Sequence, residues 1–514
     1  MTAASIEEML AQPSGSIPAL IRCHAGQAPD RVALIAGARR VSYGALDAEM
    51  DRVAAALQRD GVAPGSVVAI VAASSIEYVA VYLGAVRAGV SVAPLQPSAA
   101  PDALVAMLDD AGARLVFRDV AGAEALAAAS RPVTAVSVAL DKAAYADWLA
   151  PVGAVPAPVE LAPSAAFNLI YSSGTTGTPK GIVQPHAMRW AHVRRGDLFG
   201  YSPAAITLVS TPLYSNTTLV SLLPTLALGG AAVLMPRFEP GEALRLAAQH
   251  RVTHAMFVPV QYERLLRHSD FDQVDLSSFV MKFCTSAPFS AALKAEVLQR
   301  WPGGLVEYFG MTEGGGTCIL IAHQFPDKLH TVGRPAEGHD MRVIDDDGRA
   351  LPAGEIGEVV GHSPFAIMTG YHNRPDATAA AEWHDATGRR FIRTGDLGRF
   401  DGDGFLTIVG RKKDVIISGG FNVYPVDLEA ALAAHGDVAE AAVVGVASAR
   451  WGETPVAFVV RNADSAIDGE ALRSFANARL GATQRIAEVV FVDGLPRNAI
   501  GKVLKRELRE RYRG

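Results

Sequence analysis

Apolar positions in the first part of the chain alternate between two periods. "SVVAIVA" (66–72) is an unbroken apolar run that reads as a buried strand. "SIEYVAVYLGAVRAG" (75–89) repeats its apolar residues at helical spacing, with Ser75 placed as N-cap and Gly89 as stop. "VSVAPL" returns to strand, "PDALVAMLDDAG" to helix and "RLVFRD" to strand; the alternation runs on through "AFNLIYSSG", "THAMFVPV", "AALKAEVLQRW" and "LVEYFG". That order predicts an α/β domain with a largely parallel sheet. Beyond it, "MRVIDDDGRALPAGEIGEVVG" and "RFDGDGFLTIVG" set short apolar runs between Asp-Gly turns, the pattern of antiparallel hairpins. After "GRKKD" (410–414) comes a compact block of two helical and several strand patterns, a small α+β domain of about 100 residues. The expected fold class is α/β: a large N-terminal domain over 1–411, with mixed sheets, helices and a small antiparallel β subdomain, then a small C-terminal α+β domain over 412–514.

Composition narrows the function classes. The 514 residues are 50% hydrophobic and 19% charged with a net charge of −6, which excludes a disordered chain and offers no general attraction for nucleic acid. Cys23, Cys284 and Cys318 lie far apart, so neither a disulfide framework nor a zinc spacing is present, and a cytoplasmic location is expected. The start "MTAASIEEMLAQPSGS" has no apolar core of the secretory kind. Between Asp197 and Arg237 no residue is charged, a length that could span a membrane. Pro212, Pro224, the polar "STPLYSNTT" and Gly229–Gly230 break it up, so two buried elements joined by a loop are expected instead, and no membrane span.

Candidate chemistry starts at "YSSGTTGTPKG" (171–181). Pro precedes the Lys and Gly follows it, so the Ser/Thr that holds magnesium in a Walker loop is missing. Gly181 and the β-branched Ile182–Val183 favour extended chain rather than a helix carrying Lys180. What remains is a loop of backbone N–H groups, five hydroxyls (Ser172, Ser173, Thr175, Thr176, Thr178) and one cation, with Gly174 and Gly177 leaving it free to move. Such a loop suits phosphate oxygens, and equally a plain flexible connection.

"YFGMTE" (308–313), "RTGDLGRF" (393–400), "GRKKDVIISGGFNVYP" (410–425) and "PRNAIGK" (496–502) follow it in order. With "VSYGALDAEMDRVAAAL" and "LGAVRAGVSVAPLQP" upstream, the chain resembles the acyl-adenylate-forming superfamily over nearly its whole length. That superfamily holds acyl- and aryl-CoA synthetases, peptide-synthetase adenylation domains and luciferases; the likeness is to the CoA ligase branch. The resemblance implies attack of a carboxylate on the α-phosphorus of ATP, release of pyrophosphate, then attack of a thiol, usually that of CoA, on the acyl-adenylate. It implies Lys502 as the lysine bridging carboxylate and phosphates. Thr312 would touch the α-phosphate and Glu313 would hold Mg2+ with Thr175 and Thr176 nearby. Ser172, Ser173, Gly174, Gly177 and Lys180 belong to the phosphate loop. Ser286, Ala287, Pro288, Tyr308, Phe309 and Gly310 would form the adenine site, with Phe309 standing where the family usually has Tyr. Asp396 and Arg411 would hold the ribose. Lys413 falls at the hinge about which the family turns its mobile small domain, exchanging Lys502 for the loop of Gly419 and Gly420. Trp451 and Arg485 match positions that touch CoA in some relatives, although "ATQRIA" departs from the usual stretch there.

The acyl pocket is expected around Tyr214, Ser215, Asn216, Met311 and Thr317. Ser215 stands where many CoA ligases carry His, and the hydroxyl-rich wall favours a small, medium or aromatic acid over a long bare chain. No Arg stands out as placed for a second carboxylate. The expected activity is an AMP-forming acid–CoA ligase using ATP, CoA and Mg2+, in fatty acid or aromatic acid metabolism. Three alternatives stay open: an adenylating enzyme loading a carrier-protein thiol in trans, a luciferase-like oxygenase, and a non-catalytic nucleotide-binding regulator, which would be expected to lose Lys502 or Glu313. A homodimer, a carrier protein and a lysine acetyltransferase or deacetylase acting on Lys502 stay open as partners.

Overall fold

The computed structural model describes residues 5–172, 179–463, 465–481, 484–497 and 501–512. The chain forms two compact units: Met1–Leu329 with Ala336–Asp340 and Gly361–Ile392, and His330–Pro335 with Met341–Val360 and Arg393–Gly514.

The first unit carries two large sheets. One runs in the order Gly370–Tyr371, Lys180–Pro185, Ala166–Ser172, Ser91–Leu95, Val67–Val71, Leu115–Arg118, Val136–Ala139. Its members from Ala166–Ser172 onward are parallel, while Lys180–Pro185 turns back antiparallel, so Lys180 pairs with Ser172. Val67–Val71 is buried at every position, as a strand covered on both faces must be. The helix Ile76–Arg87 begins where expected, the Ser75 hydroxyl accepting from the Tyr78 N–H at 3.1 Å. The second sheet runs Thr317–Ile321, Gly304–Gly310, Met281–Cys284, His254–Phe257, Ile206–Val209, Ala231–Leu234, Val32–Ala36, Arg39–Ser42, parallel through its middle.

The uncharged segment after Asp197 folds into a strand (Ile206–Val209), a helix (Asn216–Ala227) and a strand (Ala231–Leu234), and no helix among the described residues is long and apolar enough to cross a membrane. One expectation is corrected: Pro224 does not break the helix but sits inside it. Burial on all sides holds the helix, and the Thr225 hydroxyl donates to the Ser221 carbonyl at 2.7 Å, supplying a hydrogen bond where the proline disturbs the ladder.

In the second unit, the strands Arg390–Phe400 and Leu406–Arg411 form an antiparallel hairpin across an Asp-Gly turn. A separate sheet runs Phe421–Val423, Ile416–Ser418, Gly452–Arg461, Val438–Ser448, with Glu488–Phe491 alongside Gly452–Arg461. Leu428 and Leu432 of the helix Pro425–Ala433 pack with Leu472 and Ala476 of the helix Gly469–Asn477 to close its core.

The strand Gly304–Gly310, which leads into "MTE", is anchored from behind. Lys294 of the helix Ala291–Arg300 meets the Glu307 carboxylate at 2.5 Å with both side chains buried, and also donates to the Leu329 carbonyl at 2.8 Å. Burial pushes the Glu307 carboxyl up to about 7, the lysine opposing it. Lys294→Ala, which leaves that carboxylate buried and alone, is expected to lower stability by about 3–5 kcal/mol in urea unfolding, and Lys294→Met with Glu307→Leu to recover most of the loss.

Candidate active site

Three glycines shape the turn that follows this strand. Gly314, Gly315 and Gly316 have φ of 70°, 83° and 147°, and a Cβ at Gly314 would overlap the Ala366 carbonyl. The Gly315 N–H donates to that carbonyl and the Met368 N–H to the Glu313 carbonyl, each at 2.8 Å, fixing the turn against the 366–368 segment. The Glu313 carboxylate accepts the Tyr371 hydroxyl at 2.8 Å, and no basic side chain among the described residues pairs with it. Burial and this carboxylate together push the Tyr371 phenol up. Lys180 stands over the Tyr371 ring, 5.1 Å from its centroid. Glu313 and Lys180 are thus brought together around one tyrosine that the sequence reading did not single out. No group of three His, Cys, Asp or Glu among the described residues makes a ready-made metal cage. A carboxylate that no basic side chain among the described residues pairs with still fits a magnesium ion that takes its other oxygens from phosphates. Ser173, Gly174, Thr175, Thr176 and Gly177, and the Ser172 side chain, lie outside the described residues.

Ser286 has a φ of 80°, strained for a residue with a Cβ, and its hydroxyl shares a 2.6 Å hydrogen bond with that of Thr217. Ala287 and Pro288 continue the same turn beyond Met281–Cys284. Ser215 caps the helix Asn216–Ala227, accepting from the Thr217 N–H, while Tyr214 precedes it and Asn216 opens it. Met311 packs with Ile182, Met368 and Ile392, and Thr317 begins the strand Thr317–Ile321, its Ala336 partner donating back to the Thr317 carbonyl. Phe309 and Gly310 end their strand half-buried and exposed. Tyr308 faces the other way, as strand alternation requires, and stacks on Phe283 at 5.7 Å between centroids.

Behind Tyr308 lies a cavity of about 20 Å³ walled by Phe199, Val220, Met256 and Phe283, with His192 and Arg195 on one side. Arg195, which no sequence pattern set apart, donates to His339 Nε2 at 2.6 Å. The Ser363 hydroxyl lies 3.3 Å from the same nitrogen. Burial first, then Arg195, hold the His339 imidazole down at about 4. The His192 and His339 Nδ1 atoms are buried without a hydrogen-bond partner among the described residues.

The second unit gathers its own charges. Asp396 and Arg411 sit directly opposite in the hairpin and form an ion pair at 2.6 Å. The Asp396 N–H donates to Thr394 Oγ1 at 3.0 Å, whose hydroxyl donates to the Val359 carbonyl at 2.8 Å. Lys502, far downstream, comes into the field of this pair. Burial pulls its ammonium below the usual lysine range, Arg411 adding to the effect and Asp396 opposing it. Burial raises Asp396, with Arg411 and then Lys502 opposing. Lys413 lies in the short 3-10 turn Lys412–Asp414 beside them. Elsewhere in this unit Gly419 and Gly420 have φ of 58° and 83°, and the Gly419 N–H donates to the Trp451 carbonyl at 2.8 Å. Trp451 is 45% exposed and Arg485 is exposed on a different part of the chain.

A buried polar network escaped the sequence reading. Arg189 is fully buried, donates to Asn168 Oδ1 at 3.0 Å and to Gln184 Oε1, and has no carboxylate partner among the described residues. Burial lowers its guanidinium to about 10, so it stays charged at neutral pH. Gln184 in turn donates to the Thr312 carbonyl at 2.6 Å and to Asn216 Oδ1 at 3.2 Å. One glutamine therefore ties the "MTE" turn to the hydroxyl-rich wall.

Comparison with known proteins agrees with this layout. Residues 21–372 match the model of the AMP-binding enzyme family and residues 427–502 that of the AMP-binding enzyme C-terminal domain. A feruloyl-CoA synthase from Amycolatopsis sp is 34% identical, the match covering 95% of this chain and 97% of that one. A fatty acid–[acyl-carrier-protein] ligase, ScoC of Streptomyces coeruleorubidus, is 33% identical over 96% of this chain and 95% of its own. Among solved structures, ATP-bound MatB from Rhodopseudomonas palustris superposes with a TM-score of 0.86 at 30% identity, covering 96% of this chain and 98% of that one.

Gln184→Leu is expected to lower stability by about 2–3 kcal/mol, since it strips a buried guanidinium and the Thr312 carbonyl of partners at once. Adding Arg189→Met should restore most of that loss. An unchanged unfolding midpoint in the single variant would contradict a charged Arg189.

Proposed function

The chain belongs to the AMP-binding enzyme family and is an AMP-forming acyl-CoA synthetase, and from that premise we propose how its own residues run the reaction and on what acids. The substrate is a small, medium or aromatic carboxylic acid, the acceptor thiol is that of CoA, and the enzyme works in the cytoplasm. Buried, unbridged Cys284 and Cys318 and the unbridged Cys23 support a reducing compartment.

The observation that carries the mechanism is the cluster of Lys502 with Asp396 and Arg411. Asp396 accepts the two ribose hydroxyls, and Arg411 holds the aspartate in place for them. Lys502 bridges the acid's carboxylate and the α-phosphate. Its burial strengthens each charge it meets, because the local dielectric is low. Thr312 contacts the α-phosphate, and Lys180 with the loop ahead of it takes the departing pyrophosphate. Glu313, with Thr175 and Thr176, would hold Mg2+, which supplies neutralisation of phosphate charge when bound. Phe309 offers its ring to the adenine, with the turn of Ser286, Ala287 and Pro288 and Gly310 as the other wall. Tyr214, Ser215, Asn216, Met311 and Thr317 border the acyl group.

In the second half-reaction the thiol sulfur attacks the acyl carbon, its proton leaves, and AMP departs. The small domain over 412–514 turns about Lys413, and Gly419 and Gly420 arrive in place of Lys502. Trp451 and Arg485 then meet CoA. A carrier-protein thiol is the second reading, favoured by the full-length similarity to a fatty acid–[acyl-carrier-protein] ligase.

Pyrophosphate release with a panel of acids, with and without CoA, and thioester detection by mass separate the two. Adenylate formed without CoA ester would favour the carrier protein, and no pyrophosphate with any acid would overturn the enzyme reading. Lys502→Ala is expected to slow pyrophosphate release by about 10²–10³-fold while still converting supplied acyl-adenylate and CoA. Lys413→Pro, by fixing φ at the hinge, should spare adenylation and slow thioester formation. Equal loss of both half-reactions in either variant would contradict a two-conformation cycle.

A further inference from the structure

The cavity behind Tyr308 is mismatched to a bare hydrocarbon. Its walls are apolar, yet Arg195 lines it. Among the described residues the guanidinium's hydrogen-bond partner is His339 Nε2. Arg always donates, so that nitrogen accepts and the imidazole is neutral, in keeping with its burial. No anionic side chain among the described residues pairs with Arg195: burial opposes its charge, and Tyr308, on the wall of the same cavity, favours it. The arginine's position near the C-terminus of the helix His186–Gly196 offsets only part of the cost of burial, because a helix terminus carries a partial charge while the guanidinium carries a full one. His192, one helical turn earlier, lines the same cavity with its Nδ1 buried and unpartnered.

The cavity also has a fixed relation to the expected acyl wall. Thr217, Val220 and Pro224 fall three and four residues apart on the helix Asn216–Ala227, so they share one face. Thr217 meets Ser286 at the turn between strand and pocket, and Val220 and Pro224 line the cavity one and two turns deeper. Tyr308, which lines the cavity, is also three residues before Met311 on the way to Thr312. At about 20 Å³ the cavity has room for a group of one or two water-sized atoms.

Resting on the ligase reading above, we propose that Arg195, with His192 beside it, reads the far end of the substrate. The acid carries a second acceptor oxygen, a carboxylate or carbonyl, at the end away from the carboxylate that is activated. That oxygen takes the guanidinium donors left over by His339 and supplies the missing negative charge. An apolar terminus would offer the guanidinium no acceptor, and this difference is the source of selectivity.

The test uses the purified full-length enzyme and acids of one length ending in carboxylate, in carbonyl or in methyl, with kcat/KM from pyrophosphate release and thioester verified by mass. The wild type is expected to favour at least one oxygen-terminated acid over the methyl-terminated one by about tenfold or more. Which of the two leads tells a charge pair from a hydrogen bond. Arg195→Leu should abolish that preference and leave the methyl-terminated acid as good or better, which also proves the variant folded; Arg195→Lys should restore part of the preference for carboxylate. A wild type that prefers the methyl-terminated acid, or an Arg195→Leu loss equal for all three acids, overturns the assignment. Absence of pyrophosphate with every acid in wild type and variants is a different result: it overturns the ligase reading itself, and the assignment with it.

Discussion

Adenylation asks one anion to attack another. Two like unit charges 4 Å apart repel by about 1 kcal/mol in water and about 4 kcal/mol at the effective dielectric of a protein surface, before any bond is made or broken. Cations must therefore be brought to the phosphate without being neutralised by the protein's own carboxylates. In the mechanism proposed above, three contacts of the chain bear on that requirement. Glu313 is held by a phenol rather than by a lysine. Lys180 rests over an aromatic face, and no carboxylate among the described residues pairs with it. Asp396 is held by Arg411 at 2.6 Å, a pairing that fixes the carboxylate in the hairpin.

Charges left in this condition need a rigid setting. The strand Gly304–Gly310 is fixed behind by the buried Lys294–Glu307 pair and leads straight into the turn that displays Glu313. That turn is fixed below by Gln184, which answers to the buried Arg189. Glycines at 314–316 supply backbone shapes that other residues reach only with strain or overlap. Stiff support under a few buried and half-buried charges is the arrangement that electrostatic preorganisation requires.

Much of this was legible in the order of residues. The alternation of "SVVAIVA" and "SIEYVAVYLGAVRAG" gave the strand, the Ser75 cap and the helix because each rests on local periodicity. Gly181 and Ile182–Val183 rightly read as extended chain after the glycine- and hydroxyl-rich stretch. Pro224 misled, because proline's local penalty was outweighed by burial of nearly the whole helix. Arg189 and Arg195 were hidden for a different reason. They lie three and nine residues beyond His186 on one short helix whose hydrophobic pattern is weak, and Arg194, next to the second of them, is exposed. Which arginine turns inward is decided by Asn168, Gln184 and His339, residues on other elements that no local pattern connects. Tyr371 was missed likewise, since its role comes from a short strand pairing with Lys180–Pro185.

The central claim is that the acid's own oxygen attacks the α-phosphorus. An accepted acid labelled with heavy oxygen in its carboxylate tests it directly, by mass analysis of the nucleotide and phosphate products after a full turnover with CoA. A single heavy oxygen is expected in AMP and none in pyrophosphate. Label in inorganic phosphate with ADP as the nucleotide product, or unlabelled AMP beside labelled thioester only, would contradict it.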